Sequence, residues 1–161
     1  MSTSPSAPPF TSGLTRKKNV AALLDPLSDR YDLALLDCPP GITLTSESVF
    51  GAVDALLVPT IPTTLSQRTL DQLEQFLGDR RDAPTVLPFA SMVDRRKALQ
   101  RSIAADLAAT ATGFLPTTIP NASVVERMGV ERAPIATFAP RTAAALAFRD
   151  LWRDLADRLW A

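Results

Sequence analysis

The chain has 161 residues, 46% of them apolar, with 17 basic and 17 acidic side chains and no histidine. That length makes one domain, or most of one, with enough apolar content for a core, and zero net charge gives no bulk attraction to nucleic acid or anionic lipid. One cysteine and no histidine exclude a disulfide framework and a zinc cluster, and point to a reducing cytosol.

Residues 1–15 are rich in Ser, Pro and Thr and are expected to be a flexible tail, with the folded domain spanning 16–161. No basic-then-apolar leader opens the chain, and no apolar run reaches the roughly 18 residues of a membrane span. From Arg16 the pattern is helical: Val20, Leu23, Leu24 and Leu27 form one apolar stripe, and Pro26 limits the helix. Leu33-Ala34-Leu35-Leu36 is a short continuous apolar run, which predicts a strand buried on both faces, as in a parallel sheet. It stops at Asp37-Cys38-Pro39-Pro40-Gly41. Val49, Phe50 and Val53 suggest a helix after that loop.

The alternation recurs. Ala55-Leu56-Leu57-Val58 predicts a second buried strand, closed by Pro59. Ser66 is read as the N-cap of a helix with Leu70, Leu73 and Leu77 on one face and Gly78 near its end. Thr85–Ala90 predicts a third strand, with Pro88 arguing for an edge position or a bulge. A helix follows, carrying Leu99, Ile103 and Leu107 on one face. Phe114–Ile119 reads as a short strand, Ser123–Met128 as a helical turn or two, and Ile135–Phe138 as a weak strand. Thr142 caps a final helix running to about Trp160. Such alternation predicts an α/β fold with a mostly parallel sheet flanked by helices. Ligands of such sheets sit at the carboxyl ends of the strands, which puts Asp37, the loop after Val58, and residues 91–94 on one rim.

The segment Tyr31-Asp32-Leu33-Ala34-Leu35-Leu36-Asp37-Cys38-Pro39-Pro40-Gly41 resembles the Walker B strand of the ParA/MinD/Soj partition ATPases, the class with a deviant Walker A loop. The resemblance continues in order. Val53-Asp54 with Leu56-Leu57-Val58-Pro59 is similar to the family's next strand, and 66–73 to its next helix. Phe89-Ala90-Ser91-Met92-Val93-Asp94-Arg95-Arg96 resembles the strand end where the family reads Asn-x-x-Asp-x-Arg. Pro140-Arg141-Thr142, then Ala145, Phe148 and Leu151, resembles its closing helix. The match covers roughly Arg16 to Trp160.

The resemblance implies a P-loop ATPase fold, Mg²⁺ and ATP as ligands, and a role in chromosome or plasmid partition with a ParB-like adaptor. By the same resemblance Asp37 holds Mg²⁺ through water, Pro39 and Pro40 shape the switch loop, Ser91 lies near the nucleotide base and Pro120 packs on it. A satisfied loop serine is the plainer reading of Ser91. Arg127-Met128 and Arg132-Ala133 depart from the family's Glu-Ala and Gly-x. The family's opening strand and Gly-rich, Lys-bearing loop have no counterpart: Gly13 is the one glycine before Asp37, and Lys17-Lys18 lack flanking glycines. The expectation is a truncated ATPase domain, unable to hydrolyse ATP alone because the phosphate cradle is the larger catalytic contribution. Loss of the neighbouring loop strand would leave the edge of 33–36 open, predicting self-association or dependence on a full-length ParA-type partner.

Arg95, Arg96, Lys97 and Arg101 form the dense basic cluster, and Arg141 is a further candidate. Related proteins bind DNA through such surface cations, with salt-dependent, sequence-blind contacts; a solvated helix face is the alternative. The last helix mixes Arg149, Arg153 and Arg158 with Asp150, Asp154 and Asp157, which suits packing on the sheet and an Asp154–Arg158 pair better than a membrane surface. Cys38 reads as a small core residue. The expected location is cytoplasmic, on the nucleoid if DNA is bound. Two other readings stay open: a non-catalytic module that modulates a full-length partner, and a ligase of the same superfamily, of dethiobiotin-synthetase or cobyrinate type.

Overall fold

The computed structural model describes residues 17–38, 48–78 and 80–160. The chain divides into two compact units, 1–53 and 54–161.

In the first unit, α1 (Lys17–Leu24) runs into a 3-10 turn at Asp25–Leu27. Pro26 sits at the start of that turn, where its missing N–H costs nothing. Residues 33–38 are not a strand: they have no ladder partner among the described residues, and Leu35 is 74% exposed. The expected two-sided burial of Leu33–Leu36 is therefore overturned. A parallel strand takes its hydrogen bonds and its cover from other segments, and the apolar run supplies neither. Cys38 is exposed too, and not the core residue expected. Residues 48–50 are helical, and 51–53 are not.

The second unit is built on β1 (Ala55–Thr60) and β2 (Thr85–Ala90), paired parallel in unbroken register from Ala55↔Thr85 to Thr60↔Ala90. The parity of the ladder explains both prolines. Thr85 N–H donates to the Asp54 carbonyl and Ser91 N–H to that of Thr60, so even-numbered residues of β1 face β2 and odd-numbered ones face away. Pro59 is odd, so its absent N–H removes nothing from the ladder and the strand runs on to Thr60. In β2 the odd residues face β1. Pro88 therefore points to the other side, where its carbonyl accepts from Leu115 N–H at 2.8 Å. Pro88 marks neither an edge nor a bulge: β2 is flanked on both sides, by β1 and by isolated bridges at Phe89↔Leu115 and Val93↔Pro120. Those bridges are all that forms of the strand expected over 114–119.

Helices cover both faces. Val86 and Ala90, with Val58, meet Leu70 of α2 (Thr64–Gly78) and Ile103 and Leu107 of α3 (Ala98–Thr110). Leu87 and Phe89, with Ala55, meet Leu151 and Leu155 of the last helix. This is the period-2 alternation of a sheet buried on both sides. Full burial of a leucine such as Leu87 stabilises by roughly 1.5–3 kcal/mol. Leu99 is not part of the α3 face; it is 68% exposed.

Caps and short elements refine the expected boundaries. α2 is capped by Thr63, whose Oγ1 accepts from Ser66 N–H at 3.2 Å, so Ser66 lies inside the first turn. α4 spans Ser123–Glu131. Ile135–Phe138 is a short helix, α5, rather than a strand. Pro134 presets its entry, Thr137 N–H donates to the Pro134 carbonyl, and Ala139 N–H to that of Ile135. α6 (Ala143–Leu159) is capped as expected by Thr142, whose Oγ1 accepts from Ala145 N–H at 3.3 Å. Asp154 does not pair with Arg158 but accepts from Thr117 N–H at 3.0 Å, tying α6 to the 114–119 segment.

Candidate functional site

The carboxyl ends of β1 and β2 form the rim where an open parallel sheet binds ligands. Backbone bonds assemble it. Ile119 N–H donates to the Ala90 carbonyl, Val93 N–H to that of Ile119, and Asn121 N–H to that of Val93. This lacing brings two expected site residues together: Ser91, which opens the loop after β2, and Pro120, bridged to Val93. Both are half-buried. Between them Met92 takes a left-handed backbone, φ 55°. A non-glycine residue pays of order 1 kcal/mol for that conformation, which the laced loop holds in place.

The loop continues into the basic cluster, whose cations divide. Arg96 is committed to Asp94: its Nε and Nη2 donate to the carboxylate at 3.1 and 3.3 Å, and its backbone N–H donates at 3.0 Å. These bonds, the side-chain ones first, hold the Asp94 carboxyl below the usual range. The Asp94 N–H in turn donates to Gln100 Oε1 at 2.8 Å, fastening the loop to α3. Arg101 donates to the Arg95 carbonyl. The side chains of Arg95 and Lys97 are exposed and make no hydrogen bond or ion pair among the described residues, and the same holds for the side chain of Arg141 in the loop before α6. Of the four proposed DNA-contacting arginines, two therefore also have a structural task that the sequence did not reveal. The signal was there in the Asp94-x-Arg96 spacing, which suits an aspartate-turn bond.

Asp37 is exposed and lies in the first unit; Pro39 and Pro40 lie outside the described residues. Arg127, which departs from the family pattern, pairs with Glu131 at 2.7 Å and stands over the Phe138 ring at 5.4 Å. Arg132, where the family has glycine, occupies a left-handed helix end at φ 48°, a conformation that glycine takes without strain. Sequence reasoning missed the open groove of about 480 Å³ between α2 and α3, lined by Arg68, Asp71, Glu74 and Thr110. Partial burial, then Asp71, push the Glu74 carboxyl up. The described residues hold no cluster of metal-ligating side chains and no helix long and apolar enough to cross a membrane.

Residues 9–83 match the family model described as AAA domain. Two uncharacterized proteins of Mycobacterium tuberculosis, MT1749 and Rv1708, are each 30% identical over 151 residues, covering 89% of this chain and 47% of their own length. The chain thus spans about half the length of the curated relatives it matches. Among solved structures, the septum site-determining protein MinD complexed with Mg-ADP from Pyrococcus horikoshii superposes with a TM-score of 0.73 at 18% identity, over 89% of this chain and 58% of that one. The cell division ATPase MinD of Pyrococcus furiosus gives 0.67 at 19% identity, over 88% and 59%. The parallel sheet with helices on both faces is the MinD fold. Residues 9–83 thus carry the likeness to an AAA domain, and the fold is shared with MinD ATPases.

Proposed function

We propose that the chain is a ParA-like partition protein that does not turn over ATP by itself. In this reading the rim of β1 and β2 is its nucleotide-facing side and the loop after β2 its DNA-facing side. The observation that carries the reading is the laced rim, where Ser91 and Pro120 come together and the loop runs on into the exposed Arg95 and Lys97.

Mg²⁺ and a nucleotide come from the likeness to MinD, one of whose structures is a Mg-ADP complex. The residues of this chain fit that pair poorly. Toward the metal they offer one exposed carboxylate, Asp37, and toward a base Ser91 and Pro120. Toward the phosphates they offer no glycine-lined nest of amides: none of the six glycines neighbours any of the lysines, Lys17, Lys18 and Lys97. No hydrolytic step follows from such a set. A full-length ParA-type ATPase would supply the cradle, and a ParB-like adaptor would be the further partner.

Cations on the DNA-facing side recognise phosphate by charge, so binding falls steeply with salt and ignores sequence. Incubated with Mg²⁺ and ATP, the purified chain is expected to release no phosphate above background. Magnesium-dependent release abolished by Asp37→Ala would refute this half of the proposal. In fluorescence anisotropy at low salt, duplex DNA is expected to bind the wild type and to lose most binding to an Arg95→Ala/Lys97→Ala double variant. Equal retention by both would refute the other half.

A further inference from the structure

The N-cap residue of α3, Lys97, makes no side-chain capping bond. Gln100, three residues on, is of the type that ordinarily reaches back to the N-cap N–H. Here that N–H is already taken, donating to the Asp94 carbonyl at 3.0 Å. Gln100 reaches past it, and its Oε1 accepts from the Asp94 N–H at 2.8 Å. Its neighbour Arg101 also turns back, donating through Nη1 to the Arg95 carbonyl. Successive side chains of the helix thus hold successive backbone positions of the loop, which is more than the start of a helix requires.

The hold is close to complete. In residues 94–97, the N–H groups of 94, 96 and 97 and the carbonyls of 94, 95 and 97 all have partners. Both ends of the loop are anchored in one core cluster, by Val93 on one side and Ile103 of α3 on the other. The side chains of Arg95 and Lys97 are left over, exposed and without a bond of their own among the described residues. We infer, on the DNA-facing reading of this loop, that Gln100 and with it Arg101 are positioning residues: they fix the backbone from which Arg95 and Lys97 project toward phosphate, and touch no phosphate themselves. A loop fixed before the encounter need not be ordered by it, so less conformational entropy is lost on binding. Gln100 carries no charge, so its share of the affinity cannot come from counterion release. The two kinds of contribution therefore part in salt: phosphate contacts set the steepness of log K against log salt, and positioning sets its height.

The test is fluorescence anisotropy of duplex DNA with the full 161-residue chain, across about 50 to 200 mM salt. Arg95→Ala and Lys97→Ala should each weaken binding and lower the steepness of its salt dependence by about 1. Gln100→Met keeps the length of the side chain and removes the carbonyl acceptor. It should weaken binding by roughly three- to tenfold at every salt concentration, with the steepness unchanged. Hydrogen exchange should show the Asp94 amide losing protection in this variant while Ile103 and Leu107 of α3 keep theirs. If α3 loses protection too, Arg101→Met decides: positioning lowers affinity at nearly constant steepness, whereas a phosphate contact lowers the steepness by about 1. A Gln100→Met chain that frees the Asp94 amide yet binds DNA as the wild type does, while Arg95→Ala binds weakly, overturns the inference and leaves the DNA-facing reading standing. A wild type that binds no DNA at low salt overturns both.

Discussion

Leu33-Ala34-Leu35-Leu36 and Ala55-Leu56-Leu57-Val58 are nearly the same four residues, yet one stands exposed and the other forms β1. Propensity does not separate them. β1 has a parallel partner in β2, an α2–α3 layer over Val58 and the last helix over Ala55. Residues 33–36 have no strand partner among the described residues. The lesson is that a parallel strand is made by its neighbours: its bonds and its cover both come from far along the chain.

The comparison can be pressed with substitutions. The largest effect is expected from truncating the same side chain in the two regions. Leu87→Ala, at 1% exposure on the face of β2 that the last helix covers, should cost about 2–5 kcal/mol in urea unfolding. Leu35→Ala should stay within about 0.5 kcal/mol. A large cost at Leu35 would break the contrast, because it would mean that 33–36 is packed after all.

Gly113 tests how closely the paired region is built. It sits at φ 75°, and an added Cβ would lie 2.6 Å from the Val86 carbonyl oxygen of β2. Backbone, not a flexible side chain, is in the way. Gly113→Ala should cost about 1–3 kcal/mol, seen as a lowered urea midpoint. A neutral result would show that the 111–115 turn can move off the sheet.

The smallest effect is expected from Asp94, in the loop that follows β2. Its folded carboxyl lies below the ordinary range because Arg96 donates to it. A depressed carboxylate stabilises above its unfolded value of about 4, and that share is lost as pH falls through the lower folded value. The stability gap between wild type and Asp94→Asn should therefore be open at pH 6 and narrow toward pH 3. Arg96 is highly exposed, so solvent screens the pair and the gap is small. A gap that widens on acidification would contradict the bonding seen at this loop.

Order along the chain is what supplied the candidate residues. Ser91, Pro120 and the basic run were picked out by their place in a family pattern, and the structure gathers the first two on one rim. What the pattern could not convey was how the cations are spent. Arg96 holds a turn and Arg101 holds a carbonyl, a division set by three-dimensional donor geometry. The short Ile135–Phe138 segment was misread because four apolar residues fit either period. The Pro134 entry and the bond from Ala139 N–H to the Ile135 carbonyl decided for helix.

The sequence alone determined the helices that follow β1 and β2, the Thr142 cap and the absence of a glycine–lysine loop from these residues, because each is written in local composition. Tertiary structure alone decided which apolar run became a strand and which way each proline faced. Pro59 and Pro88 look equally disruptive in a string of letters. The parity of a ladder formed with distant partners turns Pro59 away from β2 and Pro88 toward a neighbour that needs only its carbonyl. Hydrogen bonds between segments far apart in sequence carry that information, and no local window contains it.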